Sequence, residues 1–414
     1  MSKLTKYKFS DLYSMASGIS STKEQAGHGS PFLSFSVVFN NYFVPDILND
    51  LMDTSEKEKE TYSIKSGDIF LTRTSEVVDE LAMSCVAVKD YPNATFSGFL
   101  KRLRPTQDNI TYPKFMAFYL RSPMFRKTMT NNAVMTLRAS LNEAIFSYLE
   151  LLLPAYSEQK KVGDLLYLLN QKIALNNRIN AELEGMAKTL YDYWFVQFDF
   201  PDANGKPYKT SGGKMTYNAI LKREIPVEWN TSTLWNIAKY TNGLPMQKYR
   251  EDSDIYLPVI KIREMNNGID ADTERARVDI PEAAVINDGD VLFSWSATLD
   301  VKIWSQGKGA LNQHIFKVSS DIYPKSFYYF ELLNYLKHFK MIADLRKTTM
   351  GHITLDHLKQ AYICLPPLFL LEEFNSKVHD IFQQHLLLEK ENRSLIKLRD
   401  WLLPMLMNEQ VKVK

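Results

Sequence analysis

Apolar residues recur every seven positions along one long stretch near the middle of the chain, from Ser157 to Phe195. The stretch contains no proline and is rich in Leu, Ala, Lys, Glu and Gln, which favour helix. Its first heptad row comprises Val162, Leu169, Asn176, Leu183 and Leu190. We expect a second row three residues further on, comprising Leu165, Ile179, Met186 and Tyr193. The pattern predicts a helix roughly 55–60 Å long that packs against another long helix.

A second heptad stretch, from Leu370 to Met407, supplies the partner helix. Its row comprises Phe374, Ile381, Leu388, Leu395 and Leu402. Asn392 lies within this stretch as Asn176 lies within the first, and two interpretations stay open. The amides either fix the register of the helix pair from inside the seam or simply face solvent. Pro404 is expected to end or kink the helix near its last turn.

The two globular regions that precede these helices share motifs in the same order. The longer matches are YKFSDLYSMAS with WNTSTLWNIAK, and IKSGDIFLTRT with INDGDVLFSWS. Both matches lie at the same separation along the chain, which aligns Leu12 with Leu234 and Gly67 with Gly289. A Tyr-Pro-Lys tripeptide and a later proline recur at a slightly shorter separation. Matches in constant order predict an internal duplication.

Each copy mixes strands with helices. The Gly-Asp pairs predict turns into the strands IFLT and VLFS, MSCVAV and HIFKV are further strand candidates, and Pro113 and Pro324 suit the first turn of a helix. We therefore expect an α/β (α+β) protein with two similar domains and two long antiparallel coiled-coil helices, related by a pseudo-twofold repeat. The expected boundaries are a domain at 1–155, a helix at 156–199, a Gly- and Pro-rich linker at 200–214, a domain at 215–367 and a helix at 368–414.

Composition narrows the class of protein. The 414 residues, 45% hydrophobic and 24% charged, are typical of a soluble globular chain, and no apolar run reaches membrane-spanning length. The N-terminus lacks a signal-peptide core, and the two cysteines, Cys85 and Cys364, each lie in an apolar run. We expect a cytoplasmic protein with reduced thiols and no membrane association. The net charge of +2 means that nucleic-acid binding would depend on local patches.

Motifs for catalysis are absent from the sequence. It contains no GxxxxGK[ST] or GxGxxG phosphate loop, no DPPY- or NPPY-like tetrapeptide and no HExxH, and its seven histidines have no metal-ligand spacing with cysteine. The sequence therefore predicts neither a catalytic residue nor a metal site.

Local charge is more informative than net charge. Between Gly98 and Arg138 eight basic residues face one acidic residue, and between His314 and Lys347 six face three. Most charge runs are solvated helix faces. Recurrence of a basic, aromatic-rich stretch in both copies instead favours phosphate contacts.

Several segments together resemble the specificity subunit of type I restriction-modification enzymes, over essentially the whole chain. They are LPAYSEQKKVGDLL and LPPLFLLEEFNSKV at the heads of the helices, LYDYWFVQFDFP followed by GKPYKTSGG, and IPVEWNTSTLWNIA. One departure is Leu370-Leu371 in the second copy, where the first has Glu158-Gln159. The resemblance implies two target-recognition domains, each reading half of a split, asymmetric double-stranded DNA target, with the helices setting the gap.

The resemblance also implies partners. Two modification subunits would supply S-adenosylmethionine binding and adenine methylation, and two restriction subunits would add ATP- and Mg²⁺-dependent translocation and cleavage. This chain would contribute specificity, no catalysis and no cofactor of its own.

Candidate DNA-binding residues follow from the charged stretches and from the equivalent turns, where side chains of suitable chemistry could reach a groove. In the first copy they are Arg73, Thr74, Lys101, Arg102, Arg104, Arg126, Lys127 and Arg138. In the second they are Trp295, Ser296, Lys317, Arg346, Lys347, Thr348, Thr349 and His352.

Two other classes of protein stay open. A coiled-coil scaffold or adaptor would use the long helices to recruit protein partners without binding DNA. A stand-alone nuclease or methyltransferase would need a cofactor site that the sequence does not reveal. Steeply salt-dependent duplex binding distinguishes the DNA-binding class from the scaffold.

Overall fold

The computed structural model describes residues 4–75, 80–132, 134–135, 139–140, 149–345, 352–407, 410–411 and 413. The chain divides into two compact units, which comprise residues 1–173 with 395–414, and residues 174–394. Each division falls inside a long helix, so each unit contains part of both helices. No helix among the described residues combines the length and apolar character needed to cross a membrane.

The first repeat contains twelve strands and the first long helix. The strands are β1 Thr5–Lys8, β2 Tyr13–Ser17, β3 Ala26–Leu33, β4 Leu51–Met52, β5 Ile69–Thr72, β6 Thr74–Ser75, β7 Ser84–Val86, β8 Thr95–Phe96, β9 Leu100–Pro105, β10 Val134–Met135, β11 Ala139–Ser140 and β12 Glu150–Leu153. The helices are α1 Phe9–Leu12, α2 Phe35–Asn40, α3 Glu56–Thr61, α4 Pro113–Tyr119, α5 Pro123–Asn132 and α6 Tyr156–Tyr191. These counts refer to the ranges described above.

The second repeat follows the same plan after an added hairpin. Its described strands are β13 Met215–Asn218, β14 Arg223–Pro226, β15 Asn230–Thr233, β16 Lys239–Asn242, β17 Leu257–Ile260, β18 Arg275–Ala276, β19 Val285–Ile286, β20 Val291–Ser294, β21 Asp300–Ile303, β22 Gly309–Leu311, β23 Ile315–Ser319 and β24 Tyr362–Leu365. The helices are α7 Leu234–Ile237, α8 Ile262–Asn267, α9 Lys325–Leu345, α10 Leu355–Gln360 and α11 Leu368–Met407.

Sheet topology confirms the duplication. The central antiparallel sheet has the order β2-β9-β5-β7 in the first unit and β16-β23-β20-β21 in the second. A second sheet in each unit contains one parallel pair, β3 with β8 and β17 with β22. In each unit a separate two-stranded ladder, β1 with β12 and β15 with β24, precedes the long helix. The predicted α/β class with two similar domains is therefore confirmed.

The predicted Gly-Asp turns explain how the central strands begin. Gly67 and Gly289 have φ angles of +89° and +94°, a region that residues with a Cβ atom rarely adopt. The carboxylates of Asp68 and Asp290 each accept a 2.8 Å hydrogen bond from the backbone amide three residues earlier. The turn is thus held identically before β5 and before β20.

The predicted alignment of the first repeated segment is wrong by about one helical turn. The Phe9 amide donates to the Leu149 carbonyl, and the Leu234 amide donates to the Ala361 carbonyl. Phe9 is therefore equivalent to Leu234, and Leu12 corresponds to the buried Ile237 rather than to Leu234. Apolar residues one turn apart in both short helices make the shifted alignment match equally well by residue type.

The core of each unit includes residues from the C-terminal end of a long helix. In the first unit Leu403, Leu406 and Met407 of α11 join the cluster around Phe115 and Leu151. In the second unit a corresponding contribution comes from the end of α6 and the turn after it, and it comprises Ala187, Tyr191, Trp194 and Phe195. Both cores are therefore closed by segments distant in sequence.

The helix pair of the second unit has a polar centre. The Asn176 side chain donates to the Asn392 side chain at 2.9 Å and to Glu391 at 2.8 Å, and the Asn392 amide donates to Asn177 at 2.7 Å. One turn further along α6, Asn180 donates to Glu389 at 2.8 Å. The partner's residue number on α11 decreases, from Asn392 to Glu389, as the residue number on α6 increases, from Asn176 to Asn180. The two helices are therefore antiparallel. The amides face each other inside the seam, so the interpretation in which they face solvent is wrong.

The first heptad rows are confirmed, but the second row predicted for α6 is wrong. Val162, Asn176, Phe374 and Leu388 are buried, and the other row members are partly buried. Ile179, Met186 and Tyr193 are 36%, 60% and 37% exposed. The buried second row lies four residues after the first row, and it comprises Leu166, Ile173, Asn180, Ala187 and Trp194. Heptads alternate steps of three and four, so one row alone permits either choice.

Two segments differ from the predictions. Helix α6 ends at Tyr191 and is followed by a π-helical turn, Asp192–Val196. In the segment predicted as a linker, the Phe200 ring stacks on Tyr208 and on Trp229, with ring centroids 4.6 and 5.3 Å away. Pro404 lies in the last turn of α11, which ends at Met407.

Removing one amide of the helix seam should destabilise the second unit. Asn176→Ala leaves the buried side-chain oxygen of Asn392 without its donor, which costs about 1–3 kcal/mol in the free energy of unfolding. Asn176→Leu with Asn392→Leu should recover most of that loss, because neither position then carries a buried polar group. Urea unfolding of the wild type, Asn176→Ala and the double-leucine variant measures both effects, with Glu182→Ala on the exposed face of α6 as control. Equal stability of Asn176→Ala and the wild type would exclude a structural role for this contact.

A buried carboxyl makes the stability of the second unit depend on pH. Burial raises the pKa of Glu331 to about 7, an effect that the Tyr191 hydroxyl, Arg223 and Lys188 offset only in part. Since the unfolded chain ionises this group near 4.5, its contribution is fully present below that pH. We expect the free energy of unfolding to fall by on the order of 3 kcal/mol as pH rises through about 7.

Glu331→Gln should flatten this pH dependence, because the amide cannot ionise. Thermal unfolding at about ten pH values between 4 and 8 measures how stability depends on pH. The wild type and Glu182→Gln are measured beside the variant. The same slope in all three proteins would contradict the assignment.

Candidate nucleic-acid interface

Two of the cations in the basic stretches form hydrogen bonds to the backbone of their own unit. Arg102 lies opposite Phe70 on the central sheet of the first unit, and Lys317 lies opposite Leu292 in the second. The Arg102 guanidinium donates to the Ser63 carbonyl at 2.8 Å. The Lys317 ammonium donates to the equivalent carbonyl, that of Val285, at 3.0 Å. Both cations thus tie the segment before the Gly-Asp turn to the sheet.

The neighbouring cations of β9 are also engaged within the first unit. Arg104 donates two hydrogen bonds to the buried carboxylate of Asp68, at 2.7 and 2.6 Å, and this contact raises the pKa of Arg104. Lys101 is 6% exposed and donates to the Ser17 hydroxyl at 2.8 Å. Burial, followed by the charge of Arg104, lowers the pKa of Arg102, which is 8% exposed. Lys101, Arg102 and Arg104 therefore do not form the exposed basic patch that the sequence predicts.

Other cations of the same stretch have structural partners as well. The Arg121 guanidinium donates to four backbone carbonyls, those of Val38, Phe39, Asn41 and Ser84. Lys114 pairs with Asp164 of α6 at 2.8 Å. On α5, Arg126 is half-buried and Lys127 is exposed. The excess of positive charge in the sequence thus overstates the positive charge on the surface.

One edge of the central sheet in the first unit carries candidate residues that are accessible. Arg73 follows β5 directly, is exposed, and donates its backbone amide to the Phe99 carbonyl at 2.9 Å. The Phe99 side chain, in the loop before β9, is 66% exposed. Thr74 continues into β6, where it pairs with Ser140. The structure describes only the backbone of Thr74.

The second unit has the same edge with different side chains. Trp295 follows β20, donates its backbone amide to the His314 carbonyl, and donates its indole N–H to Asn242 at 3.2 Å. The Trp295 ring lies 5.6 Å from the His314 ring. Ser296, which is buried, forms a backbone bridge with the exposed His352. This edge is aromatic and polar.

Backbone pairing establishes which edge positions are equivalent. Each pair occupies the same place in the hydrogen-bonding pattern of the two units, and the pairs are Arg73 with Trp295, Thr74 with Ser296, Phe99 with His314, Ser17 with Asn242, and Ser140 with His352. We call these ten residues the edge positions. The same backbone thus presents two different sets of side chains.

Two glycines hold the edge loops in place. A Cβ atom on Gly18 would lie 2.3 Å from the Ser97 carbonyl oxygen, and one on Gly243 would lie 2.3 Å from that of Asn312. Only glycine permits this approach, since real Cβ atoms do not come so near to backbone. The close contact brings the ends of β2 and β16 beside the loops that carry Phe99 and His314.

Sequence reasoning identified part of the edge and missed the rest. It selected Arg73, Trp295 and His352 but not Phe99 or His314. It also missed three polar positions of the edge and its loops, which are Ser17, Asn242 and Gln313. An alignment of the copies in the correct register would have revealed these pairs. Arg138, Arg346, Lys347, Thr348 and Thr349 lie outside the described residues.

Groups that could hold a metal ion or act as a nucleophile bear on the sequence prediction of no metal site and no catalytic residue. Among the residues that the structure describes, no group of three or more His, Cys, Asp or Glu side chains could hold a metal ion. Cys85 and Cys364 are buried, and burial raises the pKa of each thiol, that of Cys85 to about 12. A thiol with a raised pKa is a poor nucleophile.

Arg102→Met and Lys317→Met should each destabilise the protein by about 1–3 kcal/mol, because each removes a hydrogen bond from a cation to a backbone carbonyl. Arg102→Met leaves the Ser63 carbonyl with its bond from Arg104 alone, and Lys317→Met takes the ammonium donor from the buried Val285 carbonyl. Arg73→Met, at an exposed position, serves as the matched control and should change stability by less than about 0.5 kcal/mol. Chemical unfolding measures all three. If Arg102→Met proved as stable as Arg73→Met, the hydrogen bonds of Arg102 would not stabilise the fold.

Comparison with known proteins places the chain among specificity subunits. It is 23% identical over 377 residues to the type I restriction enzyme MjaIX specificity subunit of Methanocaldococcus jannaschii, covering 88% of this chain and 82% of that protein. It is 23% identical over 439 residues to the HindI specificity subunit of Haemophilus influenzae, covering 92% and 94%.

A solved structure has the same fold. The crystal structure of the S subunit of the type I restriction-modification system from M. genitalium superposes with a TM-score of 0.58 at 13% identity, covering 98% of this chain and 96% of that one. The family model for the type I restriction modification DNA specificity domain matches residues 2–185 and 226–398, one match for each repeat. The chain therefore belongs to the family of type I restriction-modification DNA specificity domain proteins.

Proposed function

We propose that this chain is the DNA-binding specificity subunit of a type I restriction-modification complex, in which each α/β domain reads one half of a bipartite, asymmetric duplex target. The observation that carries the proposal is the pair of equivalent sheet edges with unlike side chains. Such a pair suits one protein that must read two different short sequences with one fold. Family membership supports the same function.

The long helices would also contact partner subunits. On α6 and the π-helical turn that follows it, within the second unit, Leu175, Ile179, Met186 and Tyr193 are exposed. Large apolar side chains repeated along one helix are unusual on a surface that stays in water. We propose that modification subunits cover this row and that two such subunits join the complex.

Chemistry would belong to the partners. In this proposal the modification subunits bind S-adenosylmethionine and methylate adenine, and two restriction subunits use ATP and Mg²⁺ for translocation and cleavage. The present chain supplies sequence specificity and bears no catalytic residue. The exposed row on α6 equally suits a scaffold that binds proteins alone, so DNA selection is the deciding experiment.

Co-expression with the modification subunit and selection of duplexes from a randomised pool should recover two short half-sites at one fixed spacing. Affinity should fall steeply as salt rises, because phosphate contacts release counterions. The modification subunit without this chain is the matched control and should select no common sequence. An intact complex that enriches no sequence would refute the specificity role and favour the scaffold.

A further inference from the structure

The edge positions allow the two half-sites to be assigned different chemistry, an inference that rests on the proposed function. Because the domains are duplicated, equivalent positions of the two edges present side chains in the same backbone frame. A residue that contacts a base in one unit therefore has a counterpart placed to do so in the other. The identity of the residue at that position decides which base is preferred.

The first unit presents a guanidinium at its edge. Arg73 is exposed, its backbone is fixed by the hydrogen bond to Phe99, and its side chain has no ion pair or hydrogen bond within the described ranges. Unlike Arg102 and Arg104, it is not needed by the fold. A free fork of N–H donors pairs best with the two major-groove acceptors of guanine.

The second unit presents amides and aromatic rings instead. The residues equivalent to Arg73, Phe99 and Ser17 are Trp295, His314 and Asn242, so no Lys or Arg occupies these three places. The Asn242 side-chain oxygen accepts from the Trp295 indole, whereas the side-chain oxygen of the neighbouring Gln313 has no hydrogen-bond partner among the described residues. Gln313 is half-buried, and its backbone amide donates to the Leu244 carbonyl at 3.1 Å. A Gln side chain pairs with the adenine edge in the major groove.

We infer that Arg73 reads a guanine in the half-site of the first domain, and that Gln313 reads an adenine in the half-site of the second. His314 positions Gln313, since the Gln313 amide lies 3.3 Å from the His314 ring nitrogen, and the His314 ring lies 5.6 Å from the Trp295 ring. The two half-sites thus differ at two equivalent positions: one carries Arg73 in the first unit and Trp295 in the second, and the other carries Gly98 in the first unit and Gln313 in the second.

The test is duplex selection by the complex of this chain with its modification subunit, repeated for Arg73→Gln and Gln313→Ala. Arg73→Gln should lower the preference for guanine at one position of one half-site by roughly 5- to 150-fold and move it toward adenine. Gln313→Ala should relax an adenine position in the other half-site only. Lys57→Gln, which removes the same charge from an exposed site of the first unit, is the matched control and should leave both half-sites unchanged.

The outcomes separate this inference from the proposed function. Wild-type selection of two half-sites, with base preferences that Arg73→Gln leaves unchanged while affinity falls equally on all sequences, would make Arg73 a phosphate contact and overturn the inference alone. Changes in the same half-site for both variants would also overturn it. Failure of the wild-type complex to select any two-part sequence would overturn the proposed function, and the inference with it.

Discussion

Closure of each hydrophobic core by a helix from a distant part of the sequence is the constraint on which the structure depends. The core of the first unit includes Leu406 of α11, and that of the second joins Tyr191 of α6 and Trp194 of the following turn to Phe374 of α11. The first unit therefore needs contacts across almost the whole chain, and the second needs contacts between α6 and α11 across its whole intervening domain. Such non-local contacts slow folding, because the entropy of loop closure is lost before the contacts form.

Between the helix ends that pack into the two cores, the helix pair contains buried polar side chains. Asn176, Asn180 and Asn392 are buried where a pair of leucines should be nearly as stable, so stability alone does not explain them. Their hydrogen bonds form only when Asn176 lies beside Asn392, whereas an all-apolar seam tolerates shifted pairings. Specificity of pairing matters most in a protein with two similar long helices, each of which could otherwise associate with the wrong partner.

Repetitive features could be predicted from the sequence and single contacts could not. Heptads, strands and the duplication are periodic, so the fold class, the two long helices and several strands of the repeated domains were predicted correctly. The choice between Ile179 and Asn180 for the seam failed because heptads permit both steps, and the alignment of Leu12 failed because the apolar pattern repeats within one turn. The edge loops have no period at all. Phe99 and His314 consequently have no sequence signal beyond their place in the repeat.

The duplication also corrects an argument about charge. Recurrence of cations in both copies favours a DNA-binding patch when only the sequence is considered, yet the recurring pair, Arg102 and Lys317, supports the same backbone carbonyl in each domain. Residues that are alike at equivalent positions of the two copies are those that the fold requires. Gly18 and Gly243, at their close backbone contacts, are a second example. A side chain that differs at an equivalent, exposed position is released from that requirement. In a duplicated protein that must distinguish two sequences, the differences between the copies therefore locate recognition better than the similarities do.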